Sequence, residues 1–210
     1  SHMGYIKRTP LSEFRAQNRG GVGSRGSNTR EEDFIEYIYP ASMHNNLLFF
    51  TQKGLVYKMK VYELPEGAKN TKGRAIQNLL NIEPGDTVNA FIRIKNLEDA
   101  EFTGSHNLIF ATRLGVIKKT SLAEYARINI KGKKAIVLRD DDRLIGVELT
   151  DGNCEILMAN RNGRAIRFNE STVRTMGRVA TGVRGMKLDG GNDEVIGMIC
   201  MHPDDNHNVM

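Results

Sequence analysis

A chain of 210 residues with 40% hydrophobic content is long enough to bury a full core or two small ones, and it is no disordered tail. Twenty-one glycines, 7% aromatic residues and no tryptophan suit a glycine-punctuated β protein, and no apolar run approaches the roughly 20 residues a membrane-spanning helix needs. The formal net charge of +5 favours a polyanionic partner but, taken alone, only weakly.

Ser1-His2-Met3 has the form of a cleaved expression-tag remnant, so His2 is set aside and the domain is taken as 4–210. Gly4 reads as the turn glycine of a hairpin whose leading strand is missing, followed by Tyr5-Ile6-Lys7-Arg8 and a helical turn at 11–14. A strand is expected at 33–39, then a polar turn at His44-Asn45-Asn46, a strand at 47–50, a glycine hairpin at Gly54 and a strand at 55–60. After a looser loop, a short strand at 75–79 closes this unit. The same grammar returns with strands at 87–94 and 108–111, a hairpin at Gly115, a helical turn at 121–125 and a closing strand at 135–138. It returns again with strands at 143–149 and 154–158, a hairpin at Gly163, a helical turn at 169–173 and a strand at 194–200. Residues 206–210 match the start of a further leading strand, so the chain is expected to be part of a longer array.

The four glycines lie 50, 61 and 48 residues apart. A period near 50 with a strand–turn–strand core predicts an all-β array of radially stacked antiparallel sheets. Charge follows the period. The windows 4–30, 53–74, 112–134 and 160–187 carry net +5, +4, +6 and +6, so the rest of the chain carries −16. Equivalent positions in a ring sit at equivalent radius, so a basic motif in register with the repeat forms a belt suited to duplex DNA. In a different functional class, such an array is a scaffold that docks an acidic protein.

One loop, Gln17-Asn18-Arg19-Gly20-Gly21-Val22-Gly23, continues into Ser24-Arg25-Gly26. With the fourfold repeat behind it, it resembles the gyrase-A box, Gln-Arg/Lys-Arg-Gly-Gly-Arg/Lys-Gly, of the DNA gyrase A C-terminal domain family. Gln17, Arg19, Gly20, Gly21 and Gly23 match; Asn18 and Val22 each replace a basic residue. Degenerate counterparts lie at Asn70-Thr71-Lys72-Gly73-Arg74, at Ile130-Lys131-Gly132-Lys133-Lys134 and at 178–185. The equivalent domain of topoisomerase IV looks similar but typically lacks an intact box.

The resemblance implies a β-pinwheel of about four four-stranded blades that exchange strands with their neighbours, with DNA bent around a basic outer edge. It implies a box that latches the first blade to the last, and a role in ATP-driven negative supercoiling by an A2B2 assembly with the rest of the gyrase A polypeptide and with gyrase B. Cleavage, ATP and Mg chemistry would lie outside this domain, which would hold no cofactor or metal and would be cytoplasmic. The expected phosphate contacts are Lys7, Arg8, Arg15 and Arg19, then Lys58, Lys60, Lys72 and Arg74. Lys118, Lys119, Lys131, Lys133 and Lys134 follow, and finally Arg164, Arg167, Arg178 and Arg184.

No enzyme chemistry is legible. His44, His106, His202 and His207 are scattered without metal-ligand spacing, and Asp204-Asp205 beside them reads as a polar turn. Asp140-Asp141-Asp142 reads as a solvated β-turn, and Cys154 and Cys200, within apolar β-like runs, as reduced and partly buried.

Overall fold

A computed structural model describes residues 1–14, 16, 18–23 and 27–204. In chain order the strands are β1 (Tyr5–Ile6), β2 (Asn46–Thr51), β3 (Leu55–Lys60), β4 (Arg74–Ala75), β5 (Val88–Ile94), β6 (Asn107–Thr112) and β7 (Val116–Ser121). There follow β8 (Lys133–Lys134), β9 (Leu144–Thr150), β10 (Glu155–Asn160), β11 (Ala165–Asn169), β12 (Val183–Arg184) and β13 (Val195–Met201). One short helix, α1 (Ala100–Ser105), is capped by Asp99, whose carboxylate accepts from Phe102 N. Its six residues are too few to show helical periodicity, and the sequence reading passes over it.

Among the described residues the strands form four antiparallel sheets: β1-β4, β5-β2-β3-β8, β9-β6-β7-β12 and β13-β10-β11. In the first three, the outermost strand beyond the hairpin comes from the following repeat: β4 on β1, β8 on β3 and β12 on β7. This is the expected strand-exchanging pinwheel, with a different phase from the sequence grammar. Strand β5 pairs with β2 before it, not β6 after it, and the short closing strands complete the preceding blade. Those strands are also shorter and earlier than expected; a 3-10 turn at Ile76–Asn78 takes over most of the expected strand at 75–79.

β5 packs against β9, and β9 against β13, so these edges form the hub and β4, β8 and β12 lie on the opposite, outer edge. Leu144 N donates to Gln52 O and Val195 N to Arg113 O, each at 2.9 Å, and these bonds stitch successive blades at the hub. Strands β2 and β6 read as unbroken apolar runs because each blade is covered on both faces. Leu48 and Phe50 of β2 join Leu108, Phe110 and Tyr125 in one core, while Leu47 and Phe49 face the first blade. Ile109 and Ala111 of β6 face Ile156 and Met158 of β10 in the next core. Strand β10 alternates buried and half-buried residues, since among the described residues only one of its faces is covered.

The hairpins repeat down to single atoms. Gly4, Gly54, Gly115 and Gly163 take φ of 81°, 82°, 83° and 82°, the left-handed region in which glycine carries no Cβ penalty. Each turn is locked by the residue three before its glycine: Ser1 Oγ, Thr51 Oγ1, Thr112 Oγ1 and Asn160 Oδ1 accept from the N–H four residues on, at 3.2, 3.2, 3.1 and 2.7 Å. An aspartate from the hub side completes it. Asp33 accepts from Met3 N, Asp86 from Lys53 N, Asp142 from Leu114 N, and Asp193 from the Asn160 amide. Asp142 is therefore a structural cap and not a free, solvated turn residue.

The expected strand at 33–39 does not form. His2 N donates to Phe34 O, but Phe34, Ile35, Tyr37, Ile38 and Tyr39 are exposed, with Tyr37 and Tyr39 resting edge-on against Phe91. Its counterparts β5, β9 and β13 all pair with a leading strand, and no leading strand pairs with 35–39 among the described residues.

Candidate nucleic-acid interface

The paired basic residues after each hairpin glycine separate into two roles. In the first and third repeats the leading lysine, Lys7 or Lys118, turns inward, while Lys58 and Arg164 stay exposed. Lys7 Nζ donates to Ala68 O, Lys69 O and Thr71 O at 2.7, 3.1 and 2.9 Å, holding the loop that leads into β4. Lys118, fully buried, donates to Ala135 O at 2.7 Å and to Arg178 O, and its ammonium lies 5.0 Å from the Phe110 ring centroid. Burial and the neighbouring Arg178 push its pKa down to about 7. Lys119 is also buried, donating to Glu170 O at 2.8 Å. Lys118 and Lys119 were expected to contact phosphate. They instead anchor loop carbonyls inside the protein, because alternation along β7 turns both into packed faces.

Several other expected contacts are engaged within the protein but stay near the surface. Arg8 pairs with Glu66, Arg164 with Asp189 at 2.8 Å, and Arg167 with Glu155 at 3.1 Å. Lys60 Nζ donates to His44 O, Lys133 Nζ to Glu124 O and Arg127 O, and the Arg178 guanidinium to Lys134 O. The Arg164 and Arg167 side chains remain about two-thirds exposed, and exposed pairs of this kind contribute about 0–1 kcal/mol, so a phosphate can displace the carboxylate.

Lys58, Lys72, Arg74, Lys131, Lys134 and Arg184 are exposed and make no ion pair among the described residues. Five of these six lie on or beside the exchanged strands. Lys72 and Lys131 precede the positive-φ glycines Gly73 and Gly132, while Arg74, Lys134 and Arg184 lie in β4, β8 and β12 themselves. The outer edge of three successive blades thus presents exposed cations, Lys134 and Arg184 at matching register positions and Arg74 one residue earlier. Gly73, Gly132 and Gly182 are required there: a Cβ would come within 2.7 Å of Ile6 O, 2.6 Å of the Tyr57 ring and 2.5 Å of Ile117 O. Close approach to the preceding blade is what seats each exchanged strand.

In the box loop, Asn18, Arg19, Gly20, Gly21, Val22 and Gly23 are all exposed, and Gly21 N donates to Asn18 O at 3.1 Å. Arg15, Gln17 and Arg25 lie outside the described residues. Gly23 aligns with Gly73, yet a Cβ on Gly23 would meet nothing within 4 Å. The box glycine is therefore undocked where its counterparts are pressed against a neighbouring blade. In the fourth blade, β11 is an outer edge with no exchanged strand among the described residues, and Ile166 is exposed on it.

Both cysteines are free thiols, as expected. What the sequence reading missed are the hairpin aspartates Asp33, Asp86, Asp142 and Asp193. Their signal was available, since each falls 27 to 32 residues after a hairpin glycine.

The family described as DNA gyrase C-terminal domain, beta-propeller, matches the chain over residues 1–42, 45–95, 106–151 and 155–200. The DNA gyrase A protein of Staphylococcus aureus (strain NCTC 8325 / PS 47) is 46% identical over 202 residues, which are 96% of this chain and 22% of that protein. The chain thus spans less than a quarter of the length of the curated relatives it matches. The solved C-terminal domain of DNA topoisomerase IV superposes with a TM-score of 0.79 at 30% identity, over 97% of this chain and 60% of that one. A DNA gyrase A C-terminal domain shares the fold, with a TM-score of 0.69 at 24% identity over 94% of this chain and 62% of that one. With four matched segments that coincide with four structural repeats, the chain belongs to the DNA gyrase C-terminal domain family of β-propellers.

Proposed function

We propose that this domain binds, bends and wraps duplex DNA along its outer edge without reading sequence, and that it does so as a non-catalytic part of a cytoplasmic A2B2 gyrase. In that reading the wrap supports negative supercoiling, while DNA cleavage and the ATP and Mg chemistry belong to other parts of the assembly. The supporting observation is the run of exposed cations on β4, β8 and β12 and their loops, one set on each of the first three blades, without ion pairs among the described residues. Curving DNA has a cost: smooth bending of about 20–30 bp through 40–90° requires on the order of 1–6 kcal/mol. Contacts distributed at a regular spacing along a curved edge offset that cost through phosphate neutralisation. The undocked box at Gly23 supports the latch that the family resemblance implies.

The likeness to the topoisomerase IV domain supports a second reading, the equivalent C-terminal domain of a topoisomerase IV. Both readings require DNA binding; they differ in the handedness of the wrap. Relaxing a plasmid with a nicking-closing enzyme in the presence of the domain measures this directly. A positive linking-number shift supports the gyrase reading, and a negligible shift with binding intact supports the alternative. Absence of any binding in a gel shift at low salt rejects both.

A further inference from the structure

We propose that Asp151, Cys154 and His202 form a binding site for a zinc-class divalent cation that ties the third blade to the fourth. The backbone brings them together. Asp151 follows the last residue of β9, Cys154 precedes β10, and the pairing of Glu155 with Met201 sets Cys154 opposite His202 across β10 and β13. Cys154 Sγ lies 3.6 Å from Asp151 Oδ1 and 4.0 Å from His202 Nε2, and one donor atom from each residue lies within 4.8 Å of the others. A tetrahedral ion with bonds of about 2.0–2.3 Å separates its donors by about 3.3–3.8 Å, so side-chain rotation that draws the donors together by up to about 1.5 Å closes the set. Solvent supplies the fourth ligand, because Asp151 and His202 are exposed while Cys154 is buried.

The donors are one thiol, one imidazole and one carboxylate, a set suited to zinc over magnesium or calcium. Comparison with the sister repeats supplies a second, independent observation. Glu170 N donates to Cys154 O as Val61 N does to Asn45 O and Leu122 N to His106 O, so Asn45, His106 and Cys154 are equivalent. Only the fourth repeat places a thiol there. It also replaces the buried Val61 and Leu122 by a buried Glu170, whose carboxylate accepts from Cys154 N and Thr150 Oγ1, both at 2.8 Å. A polar, soft-donor cluster thus stands where the sister repeats have an amide or imidazole above an apolar core. On binding, the Cys154 S–H bond breaks, its proton leaves to solvent and the thiolate bonds the metal.

Cobalt(II) titration of the purified chain tests the site, with zinc as competitor. The expected result is a near-ultraviolet thiolate-to-cobalt charge-transfer band that zinc abolishes and that persists in Cys200→Ala. His202→Gln, at an exposed position, should melt like the parent without metal and bind about 100-fold more weakly or worse, since loss of an outer-shell partner alone costs 10–100-fold. Cys154→Ala should lose the band. Absence of the band in the parent chain, or its survival unchanged in His202→Gln, overturns the proposal.

Discussion

Replacing Lys118 by Ala should destabilise the fold, although the residue belongs to one of the most basic dipeptides in the chain. The substitution removes the stem packed in the core, about 0.8 kcal/mol for each of its buried methylenes, and strips a donor from the Arg178 carbonyl. The Ala135 carbonyl retains the Tyr125 hydroxyl at 2.9 Å, so only one acceptor is orphaned, at about 1–3 kcal/mol. With Lys118 neutral in both states, at alkaline pH, the expected loss is about 3–5 kcal/mol, or a fall of about 6–20 °C in the melting temperature of a domain of this size; at neutral pH, relief of the buried ammonium's penalty offsets it. Lys134→Ala is the matched control: its side chain is exposed on β8, and its melt should stay within about 2 °C of the parent. Differential scanning calorimetry at about pH 10 measures both. If Lys118→Ala melts with the parent and loses only DNA affinity, the lysine is not an internal anchor and the division of the basic pairs into inner and outer roles is wrong.

The same pair of proteins carries a pH signature. The folded-state pKa of Lys118 lies near 7, below its ordinary value, so the burial penalty is complete below pH 7. Between pH 7 and the unfolded value the unfolded chain holds the extra proton, and the parent should gain on Lys118→Ala by up to about 1.4 kcal/mol per pH unit in denaturant titrations; a constant difference contradicts this. Asp86→Ala should cost about 2–4 kcal/mol in urea unfolding, because Lys53 N and Thr87 N, at 3.2 and 2.9 Å, lose a charged acceptor; a loss below about 1 kcal/mol would show the cap to be dispensable. For DNA, the parent's affinity should fall by about 10³–10⁵ between 50 and 200 mM salt if roughly eight phosphates are neutralised. The triple variant Arg74→Glu, Lys134→Glu, Arg184→Glu should flatten that salt slope by about three contacts with an unchanged melt, and an unaltered slope would place the DNA elsewhere.

Much of this architecture is visible in the sequence because the repeat is written in glycines and β-branched runs. The strands at 55–60, 87–94 and 143–149 fall within one residue of β3, β5 and β9. Phase was the harder problem: nothing in the local pattern of Lys133-Lys134 says that these residues pair with Leu55 and Val56 of another repeat. The interface was half legible. Charge in register with the period located the outer edge, but a lysine in a β7 core position looks identical in composition to one in solvent. Only the two-residue alternation, with both faces of the blade covered, separates Lys118 and Lys119 from Lys131 and Lys134. Likewise 33–39 has the composition of a strand, and pairing needs a partner that composition does not report.

Because each sheet that is completed borrows its last strand from the next repeat, no blade is a self-contained module. Cutting between repeats strips a strand from one sheet and strands its donor on the other piece, so the array should melt as a linked series and not blade by blade. Gain or loss of a blade through recombination would have to be cut in the frame of the interlock, hairpin together with donated strand, which gives the number of links in such a chain an inertia that simple stacked repeats do not have.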